Sequence, residues 1–294
     1  MNTILVVVTV LFFVMQSAAL KKIKIDSLRQ NLLSTAISSG MIAAALAVWA
    51  VAVRPVFSAE TLLYGAIFGA VFVVTLAAYY FAMQSGPLSY TSFFFSASML
   101  IPSVAGLLFW KEPFSWNVGV GIVLFLAAFY FITVLGGRKG GKVSRRWLVL
   151  CALTWACNGS LSIFMNFQQR SLKQAGLRAE SSQMMLVSFG VAFALALVIC
   201  LALGRKGEGL RSDLPVMRRS LLPIVLVAVG TGGGNVLTSY LTGVVPSSYL
   251  FPVVQGSTMV LITLYSMLVL KEKINTAGKI GILIGACAIV FINL

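Results

Sequence analysis

Chemistry has few places to happen in this 294-residue chain. Its carboxylates are Asp26, Glu60, Glu112, Glu180, Glu208, Asp213 and Glu272, and it contains no histidine. Each acid falls in a polar gap or at the end of an apolar run, so none is placed as a mid-membrane proton relay or cation counter-ion. The missing histidine removes the usual proton shuttle and the commonest metal ligand. Four cysteines, Cys151, Cys157, Cys200 and Cys287, lie inside apolar runs without metal-ligand spacing and read as small apolar fillers. What remains is uncharged. The amides of Asn158, Asn235 and Gln255, the indole of Trp155, the phenol of Tyr79, the thioethers of Met99 and Met259 and the hydroxyl of Ser96 can bind and stack. They are not groups for acid–base or metal catalysis. The expectation is a binding pocket of amides and aromatics in a protein that is not an enzyme and uses no cofactor or metal. Tyr80 and Tyr240 would join Tyr79 in its wall, and its aromatic faces could also cradle a quaternary ammonium.

The elements that position these groups must be membrane helices. The composition is 59% hydrophobic and only 10% charged, with mean hydropathy +0.98. A globular surface needs many more charges than this. A helix needs roughly 20 apolar residues to cross the hydrocarbon layer. Ten runs qualify, at 3–20, 31–53, 62–83, 88–110, 116–135, 146–168, 182–203, 221–242, 247–270 and 277–294. Only helices and closed barrels satisfy their backbone in lipid, so the fold class is all-α and integral to the membrane. The first run follows Met1-Asn2-Thr3 directly, without a basic segment or cleavage site, and reads as a retained helix. The formal charge of +15 falls mainly in short gaps between runs. That is the pattern of loop anchoring, and it makes nucleic acid an unexpected partner.

The chain also repeats itself. Pro87-Leu88-Ser89-Tyr90 opens a run ending at Lys111-Glu112, and Pro246-Ser247-Ser248-Tyr249 opens one ending at Lys271-Glu272. Each is followed by a glycine-containing run, with Gly119 and Gly121 in the first and Gly278, Gly281 and Gly285 in the second. A basic glycine-rich stretch, 138–145 with Gly136 and Gly137 before it, lies near the middle of the chain. This divides the chain into repeats at 1–137 and 146–294 joined by a linker. Five spans per repeat is an odd number, so the halves enter the membrane from opposite sides, the ground plan of many secondary transporters. Odd-numbered gaps hold 17 basic residues and the remainder of the chain holds 5. The positive-inside rule then puts the linker in the cytoplasm and both termini outside.

Matching stripes mark the fourth and ninth spans. Ser92, Ser96, Met99, Ser103 and Gly106 recur at Pro252, Gly256, Met259, Thr263 and Ser266 with one offset. Small and polar residues at helical spacing either pack helices closely or line a path, with Met as an adaptable contact. Span six carries a wetter face of Trp155, Asn158, Ser162, Met165 and Gln169. In span eight the cluster Gly230-Thr231-Gly232-Gly233-Gly234 precedes Asn235 and predicts a broken or closely packed segment. Gly65-xxx-Gly69 and Gly281-xxx-Gly285 read as internal packing motifs, the second alternatively as a weak homodimer contact. Glu112 and Glu272 read as helix-end caps paired with basic neighbours, or alternatively as gates.

The recurring Lys111-Glu112 and Lys271-Glu272, the glycine-rich runs after them, and Thr154-Trp155-Ala156 in span six resemble the drug/metabolite transporter superfamily in its ten-helix EamA-like branch. Span one, with Val10 to Gln16, lacks the Trp-Gly that commonly opens the first repeat of that family. The resemblance implies transport of small metabolites or drugs, often outward, without a cofactor. It also implies both termini in the cytoplasm, opposite to the charge count. The combined expectation is a multi-pass transporter of a bacterial cell membrane. It would work by alternating access as a monomer or weak homodimer, with membrane lipid around it and a small neutral or zwitterionic substrate inside. A lipid-linked substrate flippase and a quaternary-ammonium transporter are the alternatives.

Overall fold

The computed structural model describes residues 2–23, 25, 27–110, 116–131, 135, 144–203, 213–271 and 275–292. Every regular element among them is a helix. In order these are α1 (Asn2–Lys22), α2 (Leu28–Val53), α3 (Ala59–Ser85), α4 (Leu88–Ala97), α5 (Leu100–Phe109) and α6 (Trp116–Tyr130). The second half holds α7 (Arg145–Gln174), α8 (Ser181–Ala202), α9 (Leu214–Arg219), α10 (Leu221–Thr242), α11 (Ser247–Leu268) and α12 (Thr276–Ile292). Seven of them, α1, α2, α3, α7, α8, α10 and α11, are long and apolar enough to cross a membrane. Their outward faces stay apolar, as at Val51, Leu63, Leu222 and Val198, so the chain is a multi-pass helical membrane protein.

Local sequence sets the ends. Ser27, Ser58 and Ser144 cap α2, α3 and α7, their hydroxyls accepting from the backbone N–H of Gln30, Thr61 and Trp147. α2 stops at Arg54, which turns left-handed at φ 50° while its N–H still bonds to Ala50. α7 runs six residues past the expected 168, through the polar gap, because Gln168 and Gln169 find partners in Thr61 and Ser181. The short α9 in the gap before span eight has no apolar run to announce it.

The expected fourth span is interrupted. α4 ends at Ala97 and α5 begins at Leu100. Pro102 is the physical cause: it has no N–H for the Ser98 carbonyl, which instead accepts from Ile101 at 3.0 Å in a tight i→i+3 turn. The glycine cluster of span eight, by contrast, does not break its helix, since α10 is continuous from Leu221 to Thr242. Close packing takes its place. A Cβ on Gly230 would meet the Phe12 carbonyl at 2.6 Å, one on Gly233 the Phe12 ring, and one on Gly234 the Phe13 ring. Gly65 and Gly69 likewise seat α3 against Met184, Val187, Ser188 and Val191 of α8. Gly281 and Gly285 are buried within the chain.

The principal helix pairs are α2 with α8, α1 with α10, α3 with α7 and α8, and α6 with α12, while α11 packs on α1, α4 and α5. Polar ties join the loops on two opposite surfaces. On one, Arg29 meets Asp213 at 3.2 Å, Lys21 donates to the Met83 carbonyl, and the Trp147 indole donates to Thr91. On the other, Glu180 accepts from the Ser58 N–H and hydroxyl, and Arg170 lies 4.6 Å over the Trp110 ring. All described acids thus sit at helix ends. Glu112, Glu272 and most of the 138–145 linker lie outside the described residues.

Candidate functional site

Six helices enclose a cavity near their mid-length. α1 contributes Phe13 and Gln16, and α3 contributes Phe72, Thr75, Leu76 and Tyr79. Phe95 comes from α4, and Asn158, Leu161, Ser162 and Met165 from α7. α10 adds Asn235 and Thr238, and α11 adds Phe251, Val254 and Gln255. Among the described residues no charged side chain lines it. The space open to water centres is about 30 Å³, room for roughly two waters. The site is therefore small in this conformation.

Its polar groups are held by their own helices and neighbours. Asn158 donates to the Ser98 hydroxyl at 2.6 Å and the Phe95 carbonyl at 3.4 Å. Asn235 donates to the Thr231 carbonyl at 2.8 Å. The Tyr79 hydroxyl donates to Ser17 at 3.1 Å and lies at the same distance from the Ser92 hydroxyl. Its ring stacks on Phe95 with centroids 4.4 Å apart. That knot ties α1, α3 and α4 at one end of the cavity. Gln255 is buried, and its Oε1 has no partner. A sealed, unpaired amide oxygen costs about 1–3 kcal/mol, which the fold retains at this position.

Four of the eight expected site residues, Tyr79, Asn158, Asn235 and Gln255, thus come together here. The other four do not line the cavity. Trp155 points to the interruption between α4 and α5, where its indole N–H donates to the Ala97 carbonyl at 3.0 Å. Met99 and Met259 are fully buried in one core cluster, where α11 packs on α4 and α5. Ser96 is buried on α4, and its hydroxyl lacks a partner. Tyr80 and Tyr240 are also elsewhere. The Tyr80 hydroxyl pins the backbone of Ile23 and Ile25, and Tyr240 is partly exposed.

Gln16, Thr75 and Thr238 are lining groups that sequence reasoning passed over. The signal for Gln16 was present: it is the single amide in the first apolar run, at the same desolvation cost as Asn158. Thr75 and Thr238 bond to their own backbone at Val71 and Gly234, a habit that hides a lining role among ordinary helix threonines.

No family model and no curated protein matches the chain. Among solved structures 27 chains match. One, described only as a crystal structure of a protein, superposes with TM-score 0.67 at 15% identity, covering 99% of this chain and 95% of that one. At that identity the likeness is one of fold. The class defined by fold and cavity is therefore a helical, multi-pass membrane protein with an enclosed uncharged site.

Proposed function

We propose that the protein is a secondary transporter of the ten-helix drug/metabolite type, moving a small uncharged or zwitterionic solute by alternating access. The observation that carries this reading is the cavity itself. A chamber of amides, hydroxyls and apolar rings, with no charge among the described residues, shared by α1, α3 and α4 of one half and α7, α10 and α11 of the other, has little use in a scaffold. Catalysis lacks acid–base and metal-binding groups there.

The helix pairings support inverted repeats. Let α1, α2, α3, α4 with α5, and α6 stand for α7, α8, α10, α11 and α12. Then α1 with α10 becomes α7 with α3, α3 with α8 becomes α10 with α2, and α1 with α11 becomes α7 with α4 and α5. The pairs α2 with α8, α6 with α12, and α4 with α11 map onto themselves. On this reading α4 with α5 forms one interrupted span, α6 and α12 complete the ten, and the chain sits in a bacterial cell membrane as a monomer working outward.

Reconstituted vesicles test the proposal. Wild-type protein should exchange a water-soluble solute, while Asn235→Ala and Gln255→Ala at equal protein levels should lower the rate several-fold, about 0.5–1.5 kcal/mol for one hydrogen bond. Wild-type rates in both variants would reduce the amides to helix glue. Orientation is a separate expectation. A cysteine introduced within 136–145 should label only from the cytoplasm, and labelling from outside would restore the orientation usual for the family.

A further inference from the structure

Donors and acceptors around the cavity are unequally engaged. Thr75 donates its hydroxyl proton to the Val71 carbonyl at 2.9 Å, Thr238 to Gly234 at 2.7 Å, and Ser162 to Asn158 at 3.5 Å. Tyr79 donates to Ser17, and the side-chain nitrogens of Asn158 and Asn235 are engaged as described above. Six lining groups have therefore spent donors on the protein. A hydroxyl oxygen that donates keeps lone pairs, and an amide that donates through nitrogen keeps its carbonyl oxygen. Gln255 adds an acceptor that is 7% exposed and has no partner. On the donor side, the amides of Gln16 and Gln255 and the second N–H of Asn235 remain. Among the described residues no lysine or arginine lines the site.

We propose that this cavity selects primary amines with an apolar or aromatic body and no anionic group. The proposal rests on the transporter reading but puts a primary amine, cationic once protonated, in place of the uncharged or zwitterionic solute at that same site. A primary amine brings two N–H donors, or three when protonated, and the surrounding acceptors match them. The ring faces of Phe72, Phe95, Tyr79 and Phe251 offer apolar contact and, to an ammonium, a favourable π face. A carboxylate needs several charge-assisted donors or a cation and finds neutral amide N–H groups alone, so its desolvation is poorly compensated. A quaternary ammonium has no N–H and leaves the acceptors unpaired.

Four matched probes test this on detergent-purified full-length protein by titration calorimetry: phenethylamine, its N,N,N-trimethyl derivative, phenylalaninamide and phenylalanine. Phenethylamine and phenylalaninamide should bind at least about tenfold more tightly than the other two. Gln255→Met, checked by its melting curve, should weaken the amine by about tenfold, and Gln255→Glu should tighten it. Phenylalanine or the trimethyl compound binding as well as the amine overturns the proposal. So does binding of all four alike, or of none. The transporter reading is judged apart from this, by counterflow of a mixed solute pool across vesicles. It survives any of those results if wild-type protein exchanges solute.

Discussion

Gly230→Ala is expected to destabilise the protein by about 3 kcal/mol, the upper end for overpacking a close contact. The added Cβ would meet the Phe12 carbonyl at 2.6 Å and the Gln16 N at 2.8 Å. Both are backbone atoms of α1, so no rotamer change relieves the clash and α1 must move away from α10. That movement would also open the cavity, since Gln16 and Asn235 face it from these two helices. Gly190 is the control. A Cβ there meets nothing within 4 Å. Gly190→Ala should be neutral or stabilising by up to about 1 kcal/mol, the intrinsic helix preference for alanine. Thermal melting of the two variants in one detergent reads the contrast. A Gly230→Ala protein as stable as the Gly190→Ala protein would show that α1 and α10 are not in this contact.

The second large effect is expected at Trp155. Trp155→Ala should lower transport more than tenfold and also lower stability. It strips the Ala97 carbonyl of the indole N–H that satisfies it at 3.0 Å. An orphaned carbonyl costs about 1–3 kcal/mol, and losing the ring's burial adds a comparable amount. Trp155→Phe separates the two causes, because it keeps most of the ring and removes only the donor. Asn158→Ala acts on the same turn, removing the N–H that the Ser98 hydroxyl accepts, and also removes a cavity wall. Its loss of transport should exceed that of Asn235→Ala, whose amide bonds only within its own helix. Equal losses for Asn158→Ala and Asn235→Ala would mean that the turn at Ser98 and Met99 does not depend on α7.

These effects share one source. The interruption between α4 and α5 exposes backbone polar groups deep in an apolar bundle, and α7 supplies the side chains that satisfy them. Gly159, on the turn next to Asn158, lets Ile101 of α5 approach where a Cβ would collide with it. Trp155, Asn158 and Gly159 thus form one seat for the turn. Two of the three looked like pocket residues from their polarity and aromaticity, yet only Asn158 reaches the cavity.

By itself the sequence determined that the chain lies in a membrane, that it is helical, and where its long apolar helices run. Hydrophobic run length and the obligation to satisfy backbone in lipid leave little choice, so α2, α3, α8, α10 and α11 fall within three residues of their expected limits. It also determined that the amides of Asn158 and Gln255 are buried at a cost, with Asn235 half-buried. Tertiary structure alone decided which polar groups share a chamber. That choice depends on how far the helices slide and turn about one another, which composition along one helix does not encode. Trp155, Met99 and Met259 have the same helical spacing as cavity residues, but rotation of α4, α7 and α11 commits them to a seam. Span eight shows the same limit. Five residues from Gly230 to Gly234 signalled a break or a close approach, and only the neighbouring rings and backbone of α1 settled it as an approach. The actual interruption came from a single Pro102 and from donors on another helix that stand ready to satisfy what it released.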